Sequence, residues 1–518
     1  MRVVLSRYLF ATLLLTGAAP VVADLDASAL YARHCAQCHG ADRLGLMGPA
    51  LLPENLTRVK KKAAAKVIAE GRAATQMPAL GGVLGQQAID ALVEYIYTPL
   101  PQIPAWGETQ ISASRKVHVE PAARASAPVH DADLMNMFIV VELGDHHASV
   151  LDGDRLEPIH RFKTQYAVHG GPKYSPDGRY VYFLSRDGWI SKFDMWGLQT
   201  LVEVRAGINA RNLAVSDDGR YLMVANYLPH NLVVLDANDL TPLRLIDVKD
   251  DSGKTSRVSA VYTADPRHSF VAALKDIKEV WEINYEDVPP RGFGRWMHDH
   301  RIDSGDAKSA ERFPVRRIAV NDYFDDFLFS QDYVTLIGAS RSGHAQVVDL
   351  DLGRVTRELD LPGMPHLASG ITWDYQGRTV MVTPNLKKAA VSVIDMNSWE
   401  TIKEIPTEGP GFFMRSHENS RYAWVDVFFG PNKDKVHVID KQTLAIVKTL
   451  QPAPGKTAAH VEFDKDGRNA LLSIWDMDGA VVVYDADSLE ERKRLPMVKP
   501  SGKYNVHNKI TRSAGTSH

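Results

Sequence analysis

Cysteine is almost missing from this 518-residue chain, which has only Cys35 and Cys38. Disulfides therefore cannot hold a fold of this size, and packing must do so. Long apolar runs are missing too: no segment approaches the ~20 apolar residues needed to cross a bilayer. No charge of one sign dominates, since the formal net charge is -3. Without a block of Lys and Arg to track phosphates, nucleic acid is excluded as a partner. The short run Lys60-Lys61-Lys62 reads as a solvated face, or as a docking patch for an acidic redox partner. No glycine-rich flavin or nicotinamide fingerprint occurs. What is present is 45% hydrophobic residues, enough for at least two cores.

The first residues predict an export signal over 1–23. Arg2 and Arg7 give a basic start, Tyr8 to Leu15 an apolar stretch, and Val21-Val22-Ala23 a small-residue cleavage site. The expected mature protein is soluble and periplasmic, with no membrane span; an uncleaved anchor is the weaker alternative. In such a compartment the two cysteines could pair, but the next residue decides otherwise. Cys35-Ala36-Gln37-Cys38-His39 is the covalent c-haem attachment pattern. Two thiols on one helical turn reach two vinyl groups, and His39 ligates the iron.

The surroundings support that reading. Leu30 and Tyr31 precede the motif in an amphipathic segment, and Gly48-Pro49-Ala50-Leu51 follows as a turn over a haem edge. Met77, in Gln76-Met77-Pro78-Ala79, is placed to be the sixth ligand, and a thioether raises the iron potential. Ile89, Leu92, Val93, Ile96 and Tyr97 repeat at helical spacing, predicting a closing amphipathic helix. Residues 24–100 are thus expected to form a single-haem cytochrome c domain.

Pro99, Pro101, Pro104, Pro121 and Pro128 then break any helix, so 101–130 reads as a linker with one ordered stretch around Trp106. From 131 to 518 the period is that of strands. A turn recurs at Asp177-Gly178-Arg179, Asp218-Gly219-Arg220, Asp265-Pro266-Arg267, Gln376-Gly377-Arg378, Asn419-Ser420-Arg421 and Asp466-Gly467-Arg468. Spacings of 41, 43 and 47 between its arginines belong to four-stranded propeller blades. Weaker units near Phe138 and Phe327 bring the expected count to eight, with seven as the alternative. The fold class expected is an α domain followed by an all-β, eight-bladed propeller, with a surface loop or lid from Tyr285 to Pro314.

From His169 onward the chain resembles the haem d1 domain of the cytochrome cd-type nitrite reductase family. The likeness is carried by Tyr166-Ala167-Val168-His169, Ser185-Arg186-Asp187, Gly207-Ile208-Asn209-Ala210-Arg211, Ser473-Ile474-Trp475 and Pro500-Ser501-Gly502-Lys503-Tyr504-Asn505-Val506. The resemblance implies a non-covalent haem d1 or dihydro-haem d1 beside the one covalent haem c. It implies His169 as iron ligand, with Arg186, Arg211 and Tyr227 lining the macrocycle, joined on weaker matching by Arg341 and Arg415. Guanidinium groups suit the ring's carboxylates because they pair with them in bidentate fashion.

Two departures point away from nitrite reduction. His366 matches the second of the family's distal histidines, but Phe329 stands where the first belongs and cannot donate a proton. His460, in Ala459-His460-Val461, instead resembles the members that handle haem d1 during its synthesis. The resemblance therefore implies a dihydro-haem d1 dehydrogenase, turning one propionate of the precursor into an acrylate. His366 and His460 are the catalytic candidates, because hydrogen removal beside a carboxylate needs a base within reach. Electrons would leave by the c-haem to an external acceptor, and the nitrite reductase is a candidate recipient of the finished cofactor. Nitrite reduction itself, or a haem d1 carrier, are the alternatives. His146, His147, His298 and His300 read as solvated loop histidines, and His417 as structural.

Overall fold

Asp26 opens the first helix, α1 (Ala27–His34), by accepting the Ser28 and Ala29 N–H groups. In the computed structural model the described residues are 26–511, apart from 47, 58, 72–76, 103, 169–170, 288–311, 341–342 and 362. The expected export signal, His169, Arg341, His298, His300 and most of the 285–314 loop lie outside the described residues.

The chain turns at Cys35 into α2 (Ala36–His39), followed by α3 (Lys61–Glu70) and α4 (Gln86–Tyr97). The spacing of Ile89, Leu92, Val93 and Ile96 puts all four in one core with Tyr31, Leu56, Ile68 and Leu84. Buried Arg43 closes α4, donating to the Tyr95 and Thr98 carbonyls at 2.5 and 3.0 Å and so satisfying carbonyls that the helix leaves open.

Eight antiparallel sheets form the rest. Blade 1 closes the ring: its inner strand is the late segment Pro500–Asn505, paired with Met137–Glu142. The inner strands of blades 2 to 8 are Lys173–Tyr174, Asn209–Val215, Val258–Ala264, Asp326–Phe329, Ile371–Tyr375, Met414–Ser416 and Ala458–Phe463. The weak unit near Phe327 is thus a full blade, and the count is eight. Joining first and last strands leaves no open edge between the ends of the ring.

The recurrent Asp-Gly-Arg turn has a local cause. Asp177 accepts the Ser175 hydroxyl and the Arg179 N–H, and Arg179 reaches Asp194 at the end of the third strand. Gly178 and Gly219 sit at φ +74° and +70°, where a side chain is disfavoured. These turns lie at one face of the ring, where inner strands end.

The segment 101–130, read as a linker, is built into blade 2. Lys116–Val117 adds a fifth strand against Val202 and Glu203. Helix α5 (Glu108–Ser114) buries Ile111 in the blade 2 core, and Trp106 Nε1 donates to the Arg205 carbonyl at 2.8 Å. Apolar side chains among the prolines found an apolar wall, which composition alone did not reveal.

The cytochrome part sits on blades 2 and 3. Ala50 and Leu52 pack with Ile208 and Leu228. Arg205 Nη2 donates to Leu44 O at 2.5 Å, Asn55 Nδ2 to Ile208 O at 3.1 Å and Asn209 Nδ2 to Glu54 O at 3.2 Å.

Candidate active site

The c-haem motif is preorganised. His39 is buried and its Nδ1–H donates to Pro49 O at 2.8 Å. Since a carbonyl only accepts, Nε2 carries the free lone pair that an iron needs. Burial lowers the His39 pKa and pushes the Cys35 thiol up to about 11. Gly48 leaves room for the imidazole, since a Cβ there would lie 2.9 Å from His39 Cε1. Met77 packs against the same core. Two free thiols, a poised imidazole and a thioether fit a c-type haem held by Cys35, Cys38, His39 and Met77.

In the propeller the candidates gather at the face opposite the Asp-Gly-Arg turns. His366 precedes the blade 6 inner strand, Arg186 follows the second strand of blade 2, and Tyr227 is near the end of its counterpart in blade 3. Arg211, Arg415 and His460 belong to the inner strands of blades 3, 7 and 8. The cytochrome sits at this same face.

His460 stands on a β-bulge. Ala459 pairs with Ser473 and Val461 with Leu472, leaving His460 between them at φ +57°. A left-handed, β-bulged histidine is a costly arrangement that re-aims the side chain. Its ring meets Phe413 at 4.8 Å and Tyr504 at 5.2 Å. The Lys503 N–H donates to Nδ1 at 3.4 Å, which leaves the ring proton on Nε2. The Lys503 ammonium donates to the His460 carbonyl and to Ser473 Oγ. Burial, then Lys503 and Arg415, hold the imidazole well below its ordinary pKa.

His366 has the opposite tautomer. Its Nδ1–H donates to Phe412 O at 2.5 Å, so Nε2 is bare. The half-buried ring packs at 4.2 Å on Phe412, and desolvation, with Arg211 adding to it, brings its pKa down to about 4. Both imidazoles are therefore neutral near pH 7, one with a free acceptor and one with a free donor.

A residue missed in the sequence joins them. Asp426 accepts the Phe412 and Phe413 N–H groups at 2.7 and 3.1 Å and the His460 N–H at 3.3 Å. It is buried, and desolvation raises its pKa to about 7 against those three donors. An acidic residue inside the apolar run Ala423-Trp424-Val425-Asp426-Val427 was the available signal.

The cations are spread around the ring. The Arg211 charge acts on His366 and also on Asp326, whose Oδ1 accepts Tyr262 OH at 2.8 Å. Tyr227 lies 5.5 Å from the Arg257 guanidinium and 5.9 Å from the Lys275 ammonium, two cations not singled out beforehand. Arg415 is buried with Nε 3.6 Å from Glu462 Oε2, so it is an interior residue beneath His460 and not an exposed one. Phe329 points into the core with Phe327 and Tyr333. It does not occupy a distal histidine's place. His417 is fully buried near the turns and accepts the Asn419 N–H.

Comparison with known proteins bears on this geometry. Residues 132–509 match the cytochrome D1 heme domain family, and 23–96 match cytochrome C oxidase, cbb3-type, subunit III. A dihydro-heme d1 dehydrogenase of Pseudomonas aeruginosa is 54% identical over 506 residues, covering 98% of each chain. The chain belongs to the dihydro-heme d1 dehydrogenase family. Within that family, a solved structure of dihydro-heme d1 dehydrogenase NirN in complex with DHE superposes with a TM-score of 0.87 at 54% identity, covering 93% of this chain and 99% of that one. More distantly, a nitrite reductase of Stutzerimonas stutzeri is 25% identical over 92% of both chains. The basic and aromatic face of this family member fits a carboxylate-bearing haem d1 ring, and its N-terminal part is a cytochrome c domain.

Proposed function

We propose that this family member is a periplasmic dihydro-haem d1 dehydrogenase, that His366 is its base and that His460 is a hydrogen-bond donor to the substrate. The reading rests on one observation: two neutral imidazoles of opposite tautomer share the support of Asp426 at the face where the cytochrome docks.

The substrate is the haem d1 precursor, with a CH2–CH2 unit beside a carboxylate. Two C–H bonds break and a C=C bond forms, releasing two protons, one to His366 and one to bulk solvent, and two electrons that leave one at a time for the external redox partner. Arg186, Arg211 and Tyr227 hold the carboxylates, with His169 and Arg341 assigned to the same ring. His366 Nε2 takes the proton beside the carboxylate, and a bound anion near the imidazole raises its basicity toward the working range. His460 Nε2–H orients the side chain. The apolar walls Phe412, Phe413, Phe428 and Trp475 keep water from the reacting carbons. A covalent haem c on Cys35 and Cys38 supplies the one-electron acceptor, and an external redox partner drains it. The product then passes to a cytochrome cd-type nitrite reductase.

Anaerobic mixing of the haem c-loaded protein with dihydro-haem d1 tests this. Conversion to the haem d1 spectrum with reduction of the c-haem is expected. A bound but unchanged precursor identifies a carrier instead.

A further inference from the structure

Arg205 joins the loop behind His39 to the turn that presents Arg186. It ends the strand Gln199–Arg205 of blade 2 and is only 4% exposed. Its Nε donates to Asp187 O at 2.8 Å, Nη2 to Leu44 O at 2.5 Å and Nη1 to Gly45 O at 3.4 Å. The Trp106 ring lies 4.6 Å from the guanidinium, and the Arg205 N–H donates to Ser114 Oγ at 2.8 Å. One residue therefore meets blade 2, the 101–130 segment and the cytochrome at once. A cation is expensive to bury, and a planar fork suits several fixed acceptors better than an ammonium does.

Both sets of carbonyls lead to a redox site. On the cytochrome side, the Gly45 N–H donates to His39 O at 2.9 Å, so the gripped residue closes the turn after the c-haem motif. Gly45 has φ +83°, and a Cβ there would lie 2.8 Å from Ala50 N and 3.1 Å from Arg205 Nη2. That approach requires glycine. On the propeller side, Asp187 follows Arg186 in a turn closed by the Gly188 N–H on Ser185 O at 3.0 Å. Arg186 is itself held by its backbone, with its N–H on Ala167 O at 3.1 Å and the Ala210 N–H on its carbonyl at 3.0 Å.

We infer that Arg205 is a positioning residue for electron transfer between a tetrapyrrole in the propeller mouth and a haem on Cys35 and Cys38. This rests on the proposed function, which places both groups. The step moves one electron: the donor loses it, ferric haem c becomes ferrous, and no bond or proton is transferred. Its rate depends on how the two centres sit, and small misplacements are costly. Arg205 fixes that geometry by holding His39 and Arg186 through one guanidinium. Asn55 and Asn209 also bridge the two parts, but at residues 54–55, beyond the turn that carries His39.

The test uses full-length, haem c-loaded protein as wild type, Arg205→Lys, Arg205→Ala and Asn55→Ala. Arg205→Lys keeps the charge but lacks the fork that spans Asp187 O and Leu44 O. Deuterium uptake over residues 40–51, read with no ring in the propeller, should rise in both Arg205 variants and stay at the wild-type level in Asn55→Ala. Haem d1 is then bound, with its uptake followed by absorbance, and the c-haem is reduced by pulse radiolysis. The concentration-independent phase in which the two haems equilibrate should slow about 10–100-fold in both Arg205 variants. Haem d1 affinity and the c-haem potential should keep their wild-type values, which a general loss of fold would not allow. Asn55→Ala should keep the wild-type rate. Wild-type deuterium uptake or a wild-type interhaem rate in both Arg205 variants overturns the inference. So does equal slowing in Asn55→Ala, or a c-haem potential shifted enough to account for the slowing. A wild type that takes up no haem d1 overturns the proposed function, and this inference with it; uptake with an unchanged variant rate overturns this inference alone.

Discussion

Asp426 ties His366 to His460. Its carboxylate accepts the His460 N–H at 3.3 Å and the Phe412 N–H at 2.7 Å, while the Phe412 carbonyl accepts His366 Nδ1–H at 2.5 Å. One buried carboxyl group thus fixes the carbonyl that sets one tautomer and the bulge that aims the other ring. Asp426→Asn replaces an acceptor with an NH2 facing an N–H. Turnover should fall about 10–100-fold, the usual scale for a supporting partner of a working side chain, while precursor binding measured by absorbance changes little.

The same carboxylate affects stability. Its folded pKa of about 7 lies above the unfolded value of about 3.9, so between these limits the native state holds the extra proton. Its contribution to stability is fully present below the unfolded pKa and is lost as pH rises through the folded one. Denaturant midpoints of wild type and Asp426→Asn, compared from about pH 4 to about pH 7, should show the wild type losing ground relative to the variant as pH rises. A constant difference would contradict the assignment.

His366→Ala and His460→Ala should fail differently. Loss of the base should lower kcat by about 10²–10⁴-fold with little change in precursor affinity. Loss of the donor should weaken affinity by roughly one hydrogen bond, about 1 kcal/mol, together with a smaller loss of kcat. Single-turnover kinetics with a binding titration separates the two.

Arg211→Gln should raise KM for the precursor about 10–100-fold, because bonds to charged groups are worth about 1.5–3 kcal/mol. It should also raise the His366 pKa, which the Arg211 charge depresses along with burial. Histidine NMR in the ligand-free protein checks the second effect: a midpoint near 4 in wild type should move upward in the variant.

The propeller was legible because its turn chemistry is local: Asp177, Gly178 and Arg179 each have a job inside one turn. The cytochrome helices were legible for the same reason, through helical spacing and one covalent motif. Contacts across the ring were not. Nothing near Phe138 marks Asn505 as its partner, and nothing in Ala459-His460-Val461 marks the bulge that turns His460. Phe329 was matched by position to a distal histidine, but strand alternation sends it into the core. Asp426 escaped notice because the groups it supports are backbone N–H donors of residues distant in sequence, and its one local mark is a carboxylate inside an apolar run.

The most direct measurement is an anaerobic single turnover of dihydro-haem d1 by haem c-loaded wild type, following both chromophores at once. The predicted result is haem d1 formed in step with two electrons per molecule, the first on the c-haem and the second on an added one-electron acceptor, and neither change with His366→Ala. Precursor that binds and stays unoxidised while the c-haem remains ferric would contradict the proposed function.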